Sequence, residues 1–175
     1  MTTPQFILDL REKIGTSELW LPGTTAIVLR RALDPAGAEP GWSRGVADPA
    51  EVEVLCVRRA DNGWWTPITG IVDPREEPAV AALRETLEEA AVEARVDRLI
   101  GLDVVGPLVY ANGDRASYLD TAFVLEWALG EPHPADGENT EAVFVRADAL
   151  PEMNPRFTRL IAKALTGSVE ADFVS

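Results

Sequence analysis

Three glutamates, Glu85, Glu88 and Glu89, stand close together in a stretch that is written as a helix, PAVAALRETLEEAAV from Pro78 to Val92. Pro78 suits a first turn, where its missing N–H costs nothing, and Ala, Leu, Arg and Glu, all strong helix formers, dominate the remainder of the stretch. On a helix the three carboxylates share one face, and Glu85 and Glu89, four residues apart, are neighbours. Like charges at that spacing cost an isolated helix about 0.2–0.5 kcal/mol per pair. A positive partner is therefore expected there. Oxygen-only donors suit a hard divalent cation such as Mg²⁺ or Mn²⁺. Val80, Leu83, Leu87 and Ala91 recur at helical spacing as an apolar stripe expected to face the core.

The preceding residues, GIVDPREE from Gly70, deliver this helix. Gly70 permits backbone conformations closed to other residues, and Asp73-Pro74 favours a turn. Glu76, eight residues before Arg84, is placed to brace the loop against the helix through an ion pair.

Gly70, five residues, Glu76, seven residues, then Arg84-Glu85-Thr86-Leu87-Glu88-Glu89-Ala90-Ala91-Val92 resembles the signature of the Nudix hydrolase family. Three places depart from it: Ala91 and Arg75 stand where the family commonly has Gly, and Thr69 where a second Gly often precedes the first. Every ionisable position is intact, so the departures bear on loop geometry and substrate more than on metal binding. The Ala91 departure is expected to be mild, because Ala packs closely and favours helix.

The resemblance implies an α/β (α+β) domain, the Nudix fold, with a mixed β-sheet sandwiched between α-helices and the signature as loop–helix–loop. It covers about residues 20–165 of a single domain spanning 1–175. It implies hydrolysis of a phosphoanhydride bond in a nucleoside diphosphate-linked substrate: a nucleoside triphosphate, ADP-ribose, a nucleotide sugar or a dinucleoside polyphosphate. Glu85 and Glu89 would hold Mg²⁺ or Mn²⁺, with Glu88 holding a further ion and the Thr69 carbonyl joining them. Arg84 and Glu76 would orient the ligands. The general base is open among Glu88, Glu89, Glu138 and Glu141, the last two because a Glu from a comparable loop or strand edge serves many members. Family members are often homodimers. A non-hydrolytic nucleotide-binding or regulatory module on the same fold is the alternative.

Other candidates come from the residues themselves. Arg58 and Arg59, at a strand end, could hold substrate phosphate; Trp65, just before the signature, is a candidate wall of the substrate site. His133, the single histidine, lies between prolines in a loop and reads as a surface group.

The chain has 175 residues, 46% hydrophobic, enough for one domain with a real core. A net charge of −13 opposes binding to nucleic-acid polymers, whose phosphates need clustered Lys and Arg. It leaves room for small phosphorylated substrates if metal ions offset the repulsion. Cys56, the single cysteine, sits in an apolar run and is expected to be a core thiol. No signal peptide and no apolar run of spanning length is legible, so no membrane is expected and the cytosol is the expected compartment.

Around the signature, residues 4–14 predict a short helix ended by Gly15, and Thr24–Arg31 and Glu51–Arg59 predict strands. Residues 33–50, rich in Pro and Gly and including Trp42, predict a long loop. Ala94–Val96, Ile100–Val105, Pro107–Tyr110, Tyr118–Trp127 and Ala142–Val145 are further strand candidates, with a hairpin turn at Asn112-Gly113. Asp114 and Asp120 read as a turn residue and a solvated strand residue. Arg156–Leu165 predicts a closing helix, and the last residues a tail.

Overall fold

A computed structural model describes residues 3–32 and 48–173; most of the expected 33–50 loop, Trp42 included, lies outside the described residues. A short helix, α1 (Gln5–Ile14), leads into strand β1 (Leu19–Arg31). After a 3₁₀ turn come β2 (Val52–Arg59), β3 (Trp65–Thr66) and β4 (Ile68–Ile71), then the signature helix α2 (Pro78–Ala90). Two long strands, β5 (Glu93–Val109) and β6 (Arg115–Leu129), precede β7 (Asn139–Arg146), the helix α3 (Pro155–Leu165) and a short β8 (Asp172–Phe173).

The strands form one mixed sheet in the order β3-β2-β1-β6-β5-β8, with β4 paired to β1 and β7 to β2. β1 runs parallel to β6 and antiparallel to both β2 and β4. Helices cover both faces, as expected. On one face α2 lies over Ala26, Val28, Leu55, Val57, Ile68 and Leu125. On the other, Leu160 and Ile161 of α3 close over Ile27, Leu29, Val54, Cys56, Ile100 and Val124, each fully buried side chain of this size contributing roughly 1.5–3 kcal/mol. Ile7 of α1 packs with Leu19, Leu21, Ile71 and Ala116.

Four expectations change. The stripe on α2 is only partly its core face: Leu83 packs against the α2-side core, but Val80 and Leu87 are 53% and 51% exposed, while Ala81, Ala82, Glu85, Thr86, Glu89 and Ala90 are buried. Small Ala and Thr side chains let the helix sit close to the sheet, and that approach carries two glutamates inward. The three strand candidates between 94 and 110 are one 17-residue strand, broken in register by bulges. Asp120 is not solvated; it is buried, accepts hydrogen bonds from Thr25 Oγ1 at 2.9 and 3.0 Å, and pairs with Arg156 of α3. Burial raises its carboxyl above the usual range, with Arg156 opposing. Last, the tail is tied down where β8 runs beside Gly101 and Leu102.

Candidate active site

Gly70 lies on β4 opposite Thr24 of β1, facing α2. Its φ is not positive, so its expected conformational role gives way to a steric one. A Cβ on Gly70 would fall 2.2 Å from the carboxyl carbon of Glu85. Only a glycine lets the buried Glu85 carboxylate rest on this strand. Thr69 lies opposite Thr25, so its side chain points to the other face and only its backbone is near α2.

Arg84 organises the loop. Its Nε and Nη2 each donate to the Glu76 carboxylate at 2.9 Å, a bidentate pair across the turn. Nη2 also donates to the Ile71 carbonyl at 3.1 Å, and Glu76 accepts from the Asp73 amide at 3.0 Å. The Arg84 hydrogen bonds hold the Glu76 carboxyl below the usual carboxylate range. Nη1 donates at 2.9 Å to both Glu85 Oε1 and Glu88 Oε2. One guanidinium therefore ties the loop glutamate to two of the three helix glutamates.

The helix ends at Ala91, in the left-handed conformation (φ 55°, ψ 32°), and Arg75 in the loop also has positive φ, 74°. These are two of the places where the resembling signature carries Gly, so both departures place a β-carbon where the backbone disfavours one. The expected mildness of Ala91 does not hold: it lies past the helix, where its helix propensity contributes nothing. The carbonyls of Glu89 and Ala90 accept from the backbone N–H groups of Ala135 and His133 at 3.2 and 3.1 Å. The loop after β6 thus satisfies helix-end carbonyls that would otherwise lack partners. The same bonds bring Asp136 and Glu138 to the glutamate face.

A groove of about 500 Å³ results, lined by Asp73, Arg84, Glu85, Glu88, Asp136 and Glu138, with Pro4, just before α1, at its wall. Glu89 is set back from it, buried, with Asn139 Nδ2 donating to its Oε2 at 2.9 Å. Burial raises the Glu85 carboxyl to about 7, Arg84 opposing and Glu88 and Glu138 adding to the rise. Burial likewise raises Glu89 to about 8, with Asn139 opposing and Glu85, Glu138 and Asp136 adding.

Asn139 was not legible as a site residue. Ala142 faces α2, so strict alternation along β7 would turn residue 139 to the other face, together with Glu141. A bulge intervenes: Glu141 pairs with Arg58 but Asn139 with Arg59, and the extra residue re-aims the side chain. Asn139 therefore reaches Glu89, while Glu141 stays on the α3 side in an ion pair with Arg58 at 2.9 Å. The two loop-edge glutamates are thereby separated, Glu138 in the groove and Glu141 outside it.

The candidate substrate residues divide in the same way. Arg59 is held by Asp61 through two hydrogen bonds of 2.9 and 2.8 Å, and its charge is felt by Glu89 and Glu138. Arg58 and Trp65 line a second groove of about 390 Å³ with Trp64 and Pro151, and Trp65 packs on the α3-side core. His133 keeps its ring on the Glu131 carbonyl at 3.1 Å. Cys56 is fully buried, and burial pushes its thiol up to about 12.

Among the described residues no three His, Cys, Asp or Glu side chains converge on one point, and Arg84 stands between Glu85 and Glu88. The donor chemistry nevertheless fits a hard divalent cation. The groups are carboxylate oxygens, Glu85 and Glu89 are desolvated, and their acidic neighbours add to the rise of both, which is the electrostatic signature of a site that a cation would relieve.

A family model described as "NUDIX domain" matches residues 43–164. A MutT-like protein of Streptomyces ambofaciens is 36% identical over 58 residues, 33% of this chain and 38% of that protein. The NAD-capped RNA hydrolase NudC of Deinococcus radiodurans is 31% identical over 137 residues, 76% of this chain and 46% of that protein. The chain spans less than half the length of either relative. Among solved structures, a UDP-X diphosphatase superposes with a TM-score of 0.61 at 15% identity, covering 98% of this chain and 74% of that one.

Proposed function

The chain belongs to the Nudix hydrolase family, and from that premise we propose that it is a divalent-metal-dependent pyrophosphohydrolase acting on a small nucleoside diphosphate-linked substrate. The observation that carries this reading is the pair of buried carboxylates, Glu85 and Glu89, raised to about 7 and about 8 beside a groove of further acids. Two buried acids, one lining an acidic groove and the other set just behind it, are a liability unless a cation is bound there.

Glu85 and Glu89 would hold Mg²⁺ or Mn²⁺, with Glu88 and the Thr69 carbonyl as further donors. Such an ion, when bound, neutralises phosphate charge and makes bound water more acidic. The rest falls to the chain. Glu76 fixes Arg84 and Arg84 fixes Glu85 and Glu88. Asn139 fixes Glu89. Glu138, on the groove wall, is the carboxylate we favour for taking the proton from the attacking water. Glu141, held by Arg58 outside the groove, is not. A phosphoanhydride entering a groove with five carboxylates and one committed arginine cannot rely on protein cations for charge neutralisation. Turnover should therefore require the metal absolutely.

Nucleoside triphosphates, ADP-ribose, nucleotide sugars and dinucleoside polyphosphates, each offered with Mg²⁺ or Mn²⁺ and followed by product analysis, test the proposal. Cleavage of a phosphoanhydride bond in at least one, abolished by chelation, is the expected result. Nucleotide binding without any cleavage across the panel would make the chain a binding module instead.

A further inference from the structure

Beside the acidic groove, Arg84 pairs with Glu76, Glu85 and Glu88, and Arg59 pairs with Asp61. Arg75 differs from both. It is exposed and, among the described residues, makes no hydrogen bond and no ion pair. Acids flank it in the chain at Asp73, Glu76 and Glu77, yet Glu76 is turned to Arg84.

The backbone at Arg75 favours another residue. Asp73-Pro74-Arg75-Glu76 is a β-turn, closed where the Glu76 N–H donates to the Asp73 carbonyl at 3.0 Å. Pro74 holds the second position, whose φ a proline presets, and Arg75 holds the third with φ 74°, which makes the turn type II. That third position favours glycine, because a β-carbon is disfavoured there. The Arg75 side chain does nothing for the turn in return. The closing bond is made by backbone, Glu76 accepts from the Asp73 amide at 3.0 Å, and Arg84 holds Glu76. A glycine would keep every one of these bonds. An arginine held in a disfavoured conformation, with no partner inside the fold, has its use outside the fold.

We propose that Arg75 binds a substrate phosphate lying beyond the scissile pyrophosphate, so that this chain favours substrates with three or more phosphates over those with two. The inference rests on the metal-dependent reading, in which the ion answers for the two phosphates inside the groove. Arg75 does not line that groove, but Asp73 does. Two residues of chain span at most about 7 Å, within the sweep of an arginine side chain. A further phosphate projecting past Asp73 would meet only the carboxylates of the rim if Arg75 were absent. The planar fork of a guanidinium takes two phosphate oxygens at once, which a point charge does not. Nucleoside triphosphates and dinucleoside polyphosphates carry such a phosphate; ADP-ribose and simple nucleotide sugars do not.

Isothermal titration calorimetry with imidodiphosphate and diimidotriphosphate tests the assignment. These are analogues of pyrophosphate and tripolyphosphate with NH in place of each bridging oxygen, so binding is read without cleavage of a phosphoanhydride. With saturating Mg²⁺, the wild type should bind the three-phosphate analogue more tightly. Arg75→Gly should weaken that binding at least about fivefold, and weaken binding of the two-phosphate analogue less than about twofold. Arg75→Lys, which keeps the charge without the fork, should lose less. Urea unfolding supplies a readout that a structural role would reverse: Arg75→Gly should raise the midpoint, because glycine accepts φ 74° freely. A lowered midpoint overturns the proposal. So does equal loss for the two analogues, or a wild type that binds both equally. The metal reading fails separately, if chelator leaves the affinity for imidodiphosphate unchanged; a wild type that binds neither analogue overturns both.

Discussion

Glu89→Gln should stabilise the metal-free protein and silence the metal-loaded one. The Glu89 carboxyl stands at about 8 in the folded chain against 4.5 unperturbed, mainly through burial. Between those values the folded state binds a proton that the unfolded state has lost, so stability falls as pH rises through the window from about 4.5 to about 8. Above it, ionised Glu89 costs about 5 kcal/mol. Gln keeps the shape and the acceptor for Asn139 Nδ2 but cannot ionise. The stability gap between variant and wild type in chelator should therefore widen by about 4 kcal/mol from about pH 5 to about pH 8.5. For a chain of this length that is a difference of about 8–16 °C in melting temperature. Magnesium, on the proposed assignment a ligand of the ionised carboxylate, should recover part of the cost in the wild type; occupancy at a hundred times the dissociation constant is worth about 2.7 kcal/mol. The variant should gain much less and lose most metal-dependent turnover. Differential scanning calorimetry at several pH values, with chelator and then with saturating magnesium, reads all of this. Parallel pH curves for the two proteins, or an equal response to magnesium, would refute the reasoning that Glu89 is a buried acid kept for a cation.

Gly70→Ala places a Cβ 2.2 Å from the Glu85 carboxyl carbon; it should cost about 1–3 kcal/mol in a denaturant titration and lower kcat about a hundredfold through misplacement of Glu85. Ala91→Gly, at φ 55°, should stabilise by about 1 kcal/mol, visible as a higher midpoint of urea unfolding with an unchanged slope. Glu76→Gln breaks the bidentate pair with Arg84 and should lower kcat/KM by about 10–100-fold, as loss of a ligand-orienting partner does. Because the Glu76 carboxyl is depressed, the stability it lends is present above about pH 4.5 and lost as pH falls through its folded value. A thermal scan down the acid limb should show wild type and variant converging. Asn139→Ala should weaken Mn²⁺ binding by about 10–100-fold in calorimetry, while Glu141→Gln leaves it unchanged; the reverse order would contradict the bulge geometry.

The sequence was most readable where one interaction sufficed. The bounds of α1, α2 and α3 came from Pro78, Gly15 and helical periodicity, and the Glu76–Arg84 brace from a spacing that a loop and two turns can span. It was least readable where two levels competed. Periodicity offered Val80 and Leu87 as core, but the close approach of a helix lined with Ala81, Ala82 and Ala90 turned Glu85 and Glu89 inward instead. Residue types do not announce a bulge, so alternation along β7 put Asn139 and Glu141 on one face when the fold puts them on two. Asp120 looked like any strand carboxylate because its partner, Arg156, comes 36 residues later, on α3.

The inversion of α2 explains more than a misassigned stripe. An amphipathic helix ordinarily gains its place by burying its apolar side, and α2 leaves two of its largest apolar residues, Val80 and Leu87, more than half exposed. The burial of two acids on α2 then needs an account. The proposed cation would supply it, because the charge that penalises burial of Glu85 and Glu89 is the charge such an ion would meet. The alanines Ala81, Ala82 and Ala90 set the close approach to the sheet that carries Glu85 and Glu89 inward.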